Sequence, residues 1–326
     1  MKKNIQLSDI AKELNLSTST ISRVISNKGN ISEETRKKVK DYIQQINYHP
    51  NLAARSLAQK KTFNIGVIIP EDAFLSSSPF FQICLMGICE EAVKKEYNVI
   101  VSSNTNENID GLKRIASSMI VDGIVLMRVY KNDRNIEYLK SINMPFTVIG
   151  TTSDSNIVDI DNDHTKACEA LVDIIIKKSK RIALLIGNLE YMVNRQRRKG
   201  FINSLNKNNI PVENELIIDN VDGTNVIQKL ELALNNCVDA IICGDDVICI
   251  EVINTLEKKG LIIGRDIKVA SLYESQAIKN KDITAVSIDI VEVGRKAADV
   301  MIDLINTGKV TKVRLGYNIL ERNSTN

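Results

Sequence analysis

The chain has no tryptophan, two histidines and five prolines, and Phe, Trp and Tyr together make up 4% of its 326 residues. With so few histidines a zinc site is not expected, and no cofactor is implied. The six cysteines, at 84, 89, 168, 237, 243 and 249, form no CxxC pair and sit mostly in apolar surroundings. They read as reduced, buried thiols of a cytosolic protein. There is no apolar run of about 18 residues, so no transmembrane helix and no membrane partner are expected. The opening MKKNIQLSDIAKEL has no apolar core of the signal-peptide kind, which points to a cytoplasmic protein. Also missing are a GxxxxGK phosphate loop, a nucleophile elbow and metal-ligand spacing. Asp245 and Asp246 are a conceivable glycosidase pair, but adjacent residues rarely place their carboxyls across a bond at the roughly 5–9.5 Å that chemistry needs. No catalytic residue and no enzyme activity are therefore expected.

What is present is ordinary for a soluble protein: 44% apolar and 25% charged residues, enough chain for two to three domains. The net charge of +3 hides an asymmetry. Residues 1–62 hold 12 Lys and Arg against 5 Asp and Glu, a net of +7, while the remainder carries −4. A small basic head on a mildly acidic body suggests a polyanion-binding head, although a solvated basic surface would show the same balance.

Within the head, Leu7, Ile10, Ala11 and Leu14 recur at helical spacing. Asn15 suits a tight turn because it tolerates the left-handed conformation. Ser17 is placed to cap a second helix, in which Ile21, Val24 and Ile25 point inward. Thr18, Ser19, Ser22 and Arg23 remain on the other faces. Short polar groups near a helix N-terminus, with a cation beside them, are what reading base edges next to phosphates requires. The same residues would also suit the solvent face of a three-helix bundle. Ser32 caps a third helix with Glu33 and Glu34 near its positive end. Its inner stripe is Val39, Ile43 and Ile46, and it stops at Pro50.

The run DIAKELNLSTSTISRVISNKGNISEETRKKV, followed by INYHPNLAARSLAQKKTFNIGVIIP, closely resembles the LacI/GalR family of bacterial transcriptional regulators. Helix-turn-helix, YxPN element, ARSLA hinge and IGVIIP strand come in the family's order and spacing. The likeness continues through nearly the whole chain, and several runs look closest to the maltose-operon repressors. It implies a helix-turn-helix domain over 1–50, a hinge helix and linker over 51–62, and an effector-binding and dimerisation domain over 63–322. It also implies that Leu57 wedges into the central minor groove of double-stranded operator DNA, with Asn51, Ala54 and Arg55 beside it. An apolar wedge unstacks a base step, and contacts to the bent duplex offset that cost.

Beyond Phe63, strand-like runs at 65–69, 99–102, 123–127, 147–149, 182–186, 240–243 and 267–271 alternate with helical stretches. The helices are placed at about 80–96, 107–120, 133–142, 163–178, 195–208, 224–235, 247–259 and 291–306. Alternation of this kind predicts an α/β fold with parallel sheets covered on both faces. The resemblance adds the periplasmic-binding-protein arrangement: two lobes, about 63–160 with 290–322 and about 161–289, with a ligand between them.

Ligands of open parallel sheets bind beyond the carboxyl ends of the strands. Residues in such places are Phe80 and Phe81, suited to stacking on a sugar ring or to core packing, and Arg128, an unusual cation at a strand end. By resemblance, Asp161 holds a cleft position, Arg197 hydrogen-bonds effector hydroxyls and Asp245 accepts from them; Asp246 reads as bracing the loop, and Arg195 and Arg198 as solvated. Tyr273 stands where the family usually has Asp or Asn, and its ring is suited to stacking. The implied function is a homodimeric DNA-binding repressor controlled by a small carbohydrate, of maltose-type oligosaccharide class. The alternatives are a same-family regulator sensing a purine or a protein corepressor, and a transport-type sugar-binding protein.

Overall fold

In the computed structural model of the protein, residues 6–25, 29–46, 56, 59–74 and 79–326 are described. The chain divides into two units, Met1–Thr62 and Phe63–Asn326. In the first, α1 (Leu7–Leu14) opens with a capping box in which the Asp9 carboxylate accepts from the Gln6 amide at 2.9 Å. It closes at Asn15, whose φ of 54° is left-handed, while the Leu16 amide reaches back to the Ala11 carbonyl at 2.9 Å. That reversal is what an Asn in the turn permits. Helix α2 (Thr18–Ile25) is capped by Ser17, whose Oγ accepts from the Thr20 amide at 3.0 Å. Helix α3 (Glu33–Gln45) is capped by Ser32. Ile10, Ala11, Leu14, Ile21, Val24 and Val39 form one small core. Ser56 has helical backbone, and its carbonyl accepts from the Lys61 amide at 3.2 Å. Asn51, Ala54, Arg55 and Leu57 lie outside the described residues.

The second unit holds two six-stranded sheets. The first contains β1 (Asn64–Pro70), β2 (Asn98–Asn104), β3 (Gly123–Leu126), β4 (Phe146–Ile149), β5 (Val158–Asn162) and β11 (Lys312–Leu315), in the order β11-β5-β4-β3-β1-β2, all parallel. Around it lie α4 (Phe80–Lys94), α5 (Asp110–Ser117), α6 (Arg134–Ser141) and α12 (Ile290–Thr307). The second contains β6 (Ile182–Leu185), β7 (Ile217–Ile218), β8 (Ala240–Cys243), β9 (Lys268–Ser271), β10 (Thr284–Ser287) and β12 (Asn318–Leu320), in the order β12-β10-β9-β8-β6-β7. Only β12 runs antiparallel to its neighbour there. Its helices are α7 (His164–Ile175), α8 (Met192–Lys207), α9 (Val226–Asn235), α10 (Asp246–Lys258) and α11 (Gln276–Asn280). The chain passes between the lobes after β5, after β10 and after β11.

One sequence boundary is corrected. Residues 316–322 were expected in the first lobe, yet β12 pairs with β10 of the second. The tail stays there because Thr284 and Ser324 engage: the Thr284 amide donates to Ser324 Oγ at 2.8 Å, and that hydroxyl donates to the Val269 carbonyl at 2.7 Å.

Glycine sets how closely the covering helices pack. A Cβ on Gly87 of α4 would stand 2.1 Å from the Val291 carbonyl oxygen, and one on Gly294 of α12 would stand 2.0 Å from that of Cys84. The two helices therefore touch backbone to backbone. In the second lobe Gly200 does the same for α8, 2.3 Å from the Thr165 oxygen of α7.

Candidate functional site

A cavity of about 450 Å³ lies between the two lobes, a size usual for small-molecule sites. Its walls are the segments that leave β1, β3, β4 and β5 on one side and β6, β7, β8 and β9 on the other. All seven residues singled out for a ligand site border it: Phe80, Phe81, Arg128, Asp161, Arg197, Asp245 and Tyr273.

The first-lobe wall is aromatic and internally paired. An Arg128 terminal nitrogen donates to both oxygens of Asp72, at 2.7 and 2.8 Å. Its guanidinium lies 4.1 Å from the Tyr191 ring centroid and 5.2 Å from that of Phe81. Burial alone would lower the Arg128 pKa; the charge and hydrogen bond of Asp72 together with Tyr191 and Tyr130 outweigh it and hold the group above its ordinary value. The Tyr191 hydroxyl, from the second lobe, donates to Asp72 at 3.2 Å. A short antiparallel bridge at Tyr130 and Tyr191 also ties the lobes, through Lys131 N–H to Glu190 O at 2.8 Å and Met192 N–H to Val129 O at 3.0 Å. Tyr273 comes from the second lobe but is only 5% exposed, packed edge-to-face on Phe80 at 6.0 Å within the first lobe's core. Little of its ring face is left for stacking on a ligand.

Asp161 sits where β5 leaves for the second lobe. Its oxygens accept from Thr151 Oγ1 at 2.7 Å and the Asn162 amide at 2.9 Å, with His164 Nε2 at 3.1 Å. Burial pushes this carboxyl up, but the His164 charge and these hydrogen bonds hold it below the ordinary carboxylate value.

The second-lobe wall differs. Arg197 projects from α8, is 7% exposed and donates to the Leu272 carbonyl at 3.3 Å, while its buried Nε has no hydrogen-bond partner. Burial pulls its pKa down, against the nearby charges of Asp245 and Asp161. Asp245 caps α10, its Oδ1 accepting from the Ile248 amide at 2.9 Å. Burial pushes that carboxyl up, restrained by the cap bond and by Arg197. Asp246 is buried, and its Oδ1 has no partner. Of this pair, Asp245 therefore holds the helix cap through Oδ1, and Asp246 has an Oδ1 without a partner. Arg195 and Arg198 are half-buried with buried Nε atoms rather than solvated.

In the head, Thr18, Ser19, Ser22 and Arg23 are all exposed on α2. Ser19 Oγ lies 2.7 Å from Ser17 Oγ, so it is held by the capping group.

Residues 6–51 match the model of bacterial regulatory proteins of the lacI family, and residues 175–325 match a periplasmic binding protein-like domain. The transcriptional regulator RegA of Clostridium acetobutylicum is 30% identical over 339 residues, 98% of each chain. The chain belongs to the lacI family. The regulator MalR of Streptococcus pneumoniae serotype 4 is 29% identical over 94% of this chain and 95% of its own. The transcriptional regulator CelR in complex with cellobiose shares the fold, with a TM-score of 0.75 at 18% identity over 98% of this chain and 99% of that one. As a lacI-family member the chain is a DNA-binding transcriptional regulator and not an enzyme. Among the described residues no helix is long and apolar enough to cross a membrane.

Asp72, His164, Asn188, Tyr191 and Asn194 also border the cavity and were not picked from sequence. Asp72 and Asn188 follow β1 and β6 within three residues, so the strand-end rule reaches them. Tyr191 enters only through its pairing with the other lobe.

Proposed function

We propose that this regulator is a cytoplasmic homodimeric repressor whose DNA affinity is set by a carbohydrate, of maltose-type oligosaccharide class, bound between its lobes. The observation that carries this reading is the second-lobe wall: a buried Arg197 with an undonated N–H, beside carboxylates and opposite Phe80 and Phe81. A planar donor fork suits paired sugar oxygens, and an aromatic face suits the apolar side of a ring. CelR, of the same fold, holds cellobiose, which supports the class. Two α2 helices would enter successive major grooves through Thr18, Ser19, Ser22 and Arg23. Leu57, with Asn51, Ala54 and Arg55, would lie between them in the minor groove. Met86 and Val93, 61% and 72% exposed two turns apart on α4, suit a face covered by a second copy. Sugar would shift the relative orientation of the lobes, and the hinge contacts to DNA would be lost; it acts only through unequal affinity for the two states.

The test is a thermal-shift series on the full chain with glucose, maltose, maltotriose, cellobiose, adenine and guanine, followed by selection of bound duplexes from a random pool with and without the stabilising compound. Stabilisation by a sugar is expected, on the order of 2–3 kcal/mol at a hundredfold excess over Kd. Selection should yield a near-palindromic site that the sugar releases. Stabilisation by a purine alone would overturn the carbohydrate reading, and turnover of the sugar would overturn the regulatory one.

A further inference from the structure

We infer that Asp246 is the residue that decides which carbohydrates the cavity admits: it accepts a hydroxyl of a neutral sugar and turns away anionic ones. The inference rests on the carbohydrate reading above. Asp245 and Asp246 leave β8 together and both border the cavity, but their oxygens are engaged differently. Asp245 Oδ1 is the cap of α10, fixed by the Ile248 amide at 2.9 Å. Asp246, the first residue of α10, is 5% exposed and its Oδ1 has no hydrogen-bond partner. A buried carboxylate oxygen without a donor is costly, and native proteins keep few of them.

The chemistry of a matching ligand follows from the inventory of donors and acceptors. A carboxylate only accepts, so Asp246 calls for an O–H or N–H. Arg197 Nε only donates, so it calls for a lone pair. A sugar hydroxyl supplies both. The carboxylate of a uronic acid or a sugar phosphate satisfies Arg197 but brings negative charge towards Asp246. Five carboxylates border the cavity, those of Asp72, Asp161, Asp222, Asp245 and Asp246, against two guanidiniums and His164, whose Nε2 is held by Asp161 at 3.1 Å. One of the two, Arg128, is already matched by Asp72 at 2.7 Å. No free cation among the described lining residues remains to receive an anion except Arg197, which the charges of Asp245, Asp161 and Asp246 surround.

Calorimetric titration of the full chain tests this, with maltose, cellobiose and glucose as neutral probes and glucuronate and glucose 6-phosphate as anionic ones. Wild type, Asp246→Asn and Asp245→Asn are compared, each checked by urea melting. The wild type should bind a neutral probe and reject both anions. Asp246→Asn should weaken the neutral probe roughly ten- to hundredfold, the scale of a hydrogen bond to a charged group. It should also raise glucuronate affinity relative to that probe, a change of ratio that a general loss of structure would not produce. Asp245→Asn, where Asn caps nearly as well as Asp, should cost less. A wild type that binds none of the neutral probes overturns the carbohydrate reading and this inference with it. A wild type that binds one while Asp246→Asn keeps its affinity, keeps its rejection of anions, or loses no more than Asp245→Asn overturns this inference alone.

Discussion

The two walls of the cavity solve the same problem, polar groups taken out of water, in opposite ways. On the first-lobe side Arg128 is closed off by Asp72 and two aromatic faces, and Asp161 by Thr151, His164 and the Asn162 amide. On the second-lobe side Arg197 Nε and Asp246 Oδ1 have no partner in the protein. On the function proposed above, the satisfied wall would give shape and a rigid aromatic surface, and the unsatisfied one would supply the donor and acceptor that a ligand completes. Ligand affinity should therefore be concentrated in the second lobe, and the first should tolerate substitution.

The sharpest way to break this comparison is Arg197→Ala. It should abolish ligand-induced stabilisation, a loss above roughly a hundredfold for two or more charge-assisted bonds, and leave duplex binding intact. Retained response in a thermal-shift titration would move recognition to the other wall. Next in size are the glycine contacts. Gly200→Ala and Gly87→Ala should each destabilise by about 1–3 kcal/mol in urea melts, because each forces a Cβ against backbone. Only Gly200→Ala should also weaken ligand, since it lies one turn from Arg197 on α8; equal effects on affinity would mean that the lobes share the site evenly.

Acid sharpens the comparison further. Asp159 is fully buried in β5, with Arg314 and Lys312 of β11 each 2.6 Å away. Burial pushes its carboxyl up, but those cations hold it below the ordinary value. Its contribution is complete above the unfolded value of about 3.9 and is lost as pH falls through the lower folded value. Asp159→Asn should remove that acid limb and cost about 1–3 kcal/mol at neutral pH, measured by urea melts from pH 3 to 7. The smallest effect belongs to Asp72→Asn, expected to change sugar affinity by threefold or less. A loss as large as that of Arg197→Ala would show that the first wall binds ligand directly.

Much of the architecture was legible because its causes are local. Strands such as Ile65–Ile69 and Ala240–Cys243 are short apolar runs, and a parallel sheet buried on both faces needs nothing else. The strands that escaped notice have causes elsewhere in the chain. VDIDN at 158–162 looks too charged for a buried strand, and it is one because Lys312 and Arg314 arrive from 153 and 155 residues away to meet Asp159. Strand β7 has two residues, too few to show a period. The C-terminal tail went to the wrong lobe for the same reason: its place is set by Thr284 and Val269, not by its own pattern. The site shows the same divide. Strand-end position brought Phe80, Phe81 and Arg128 to notice, and family resemblance brought Asp161, Arg197, Asp245 and Tyr273; all seven border one cavity. Spacing could not tell which of Asp245 and Asp246 would take the helix cap, because that depends on backbone angles at the end of β8.

The amino-acid sequence by itself determined the kind of protein this is: a basic helix-turn-helix head and an alternating α/β body, each written in periodicity, caps and composition that act over a few residues, with a hinge between them implied by family resemblance. Tertiary structure decided which polar groups are satisfied within the protein and which are not. That outcome hangs on contacts such as Arg128 with Asp72, Tyr273 with Phe80 and Arg197 with Leu272, in which groups far apart in the chain compete for the same few hydrogen-bond partners. Local propensity carries no record of that competition; only packing two lobes around one cavity settles it.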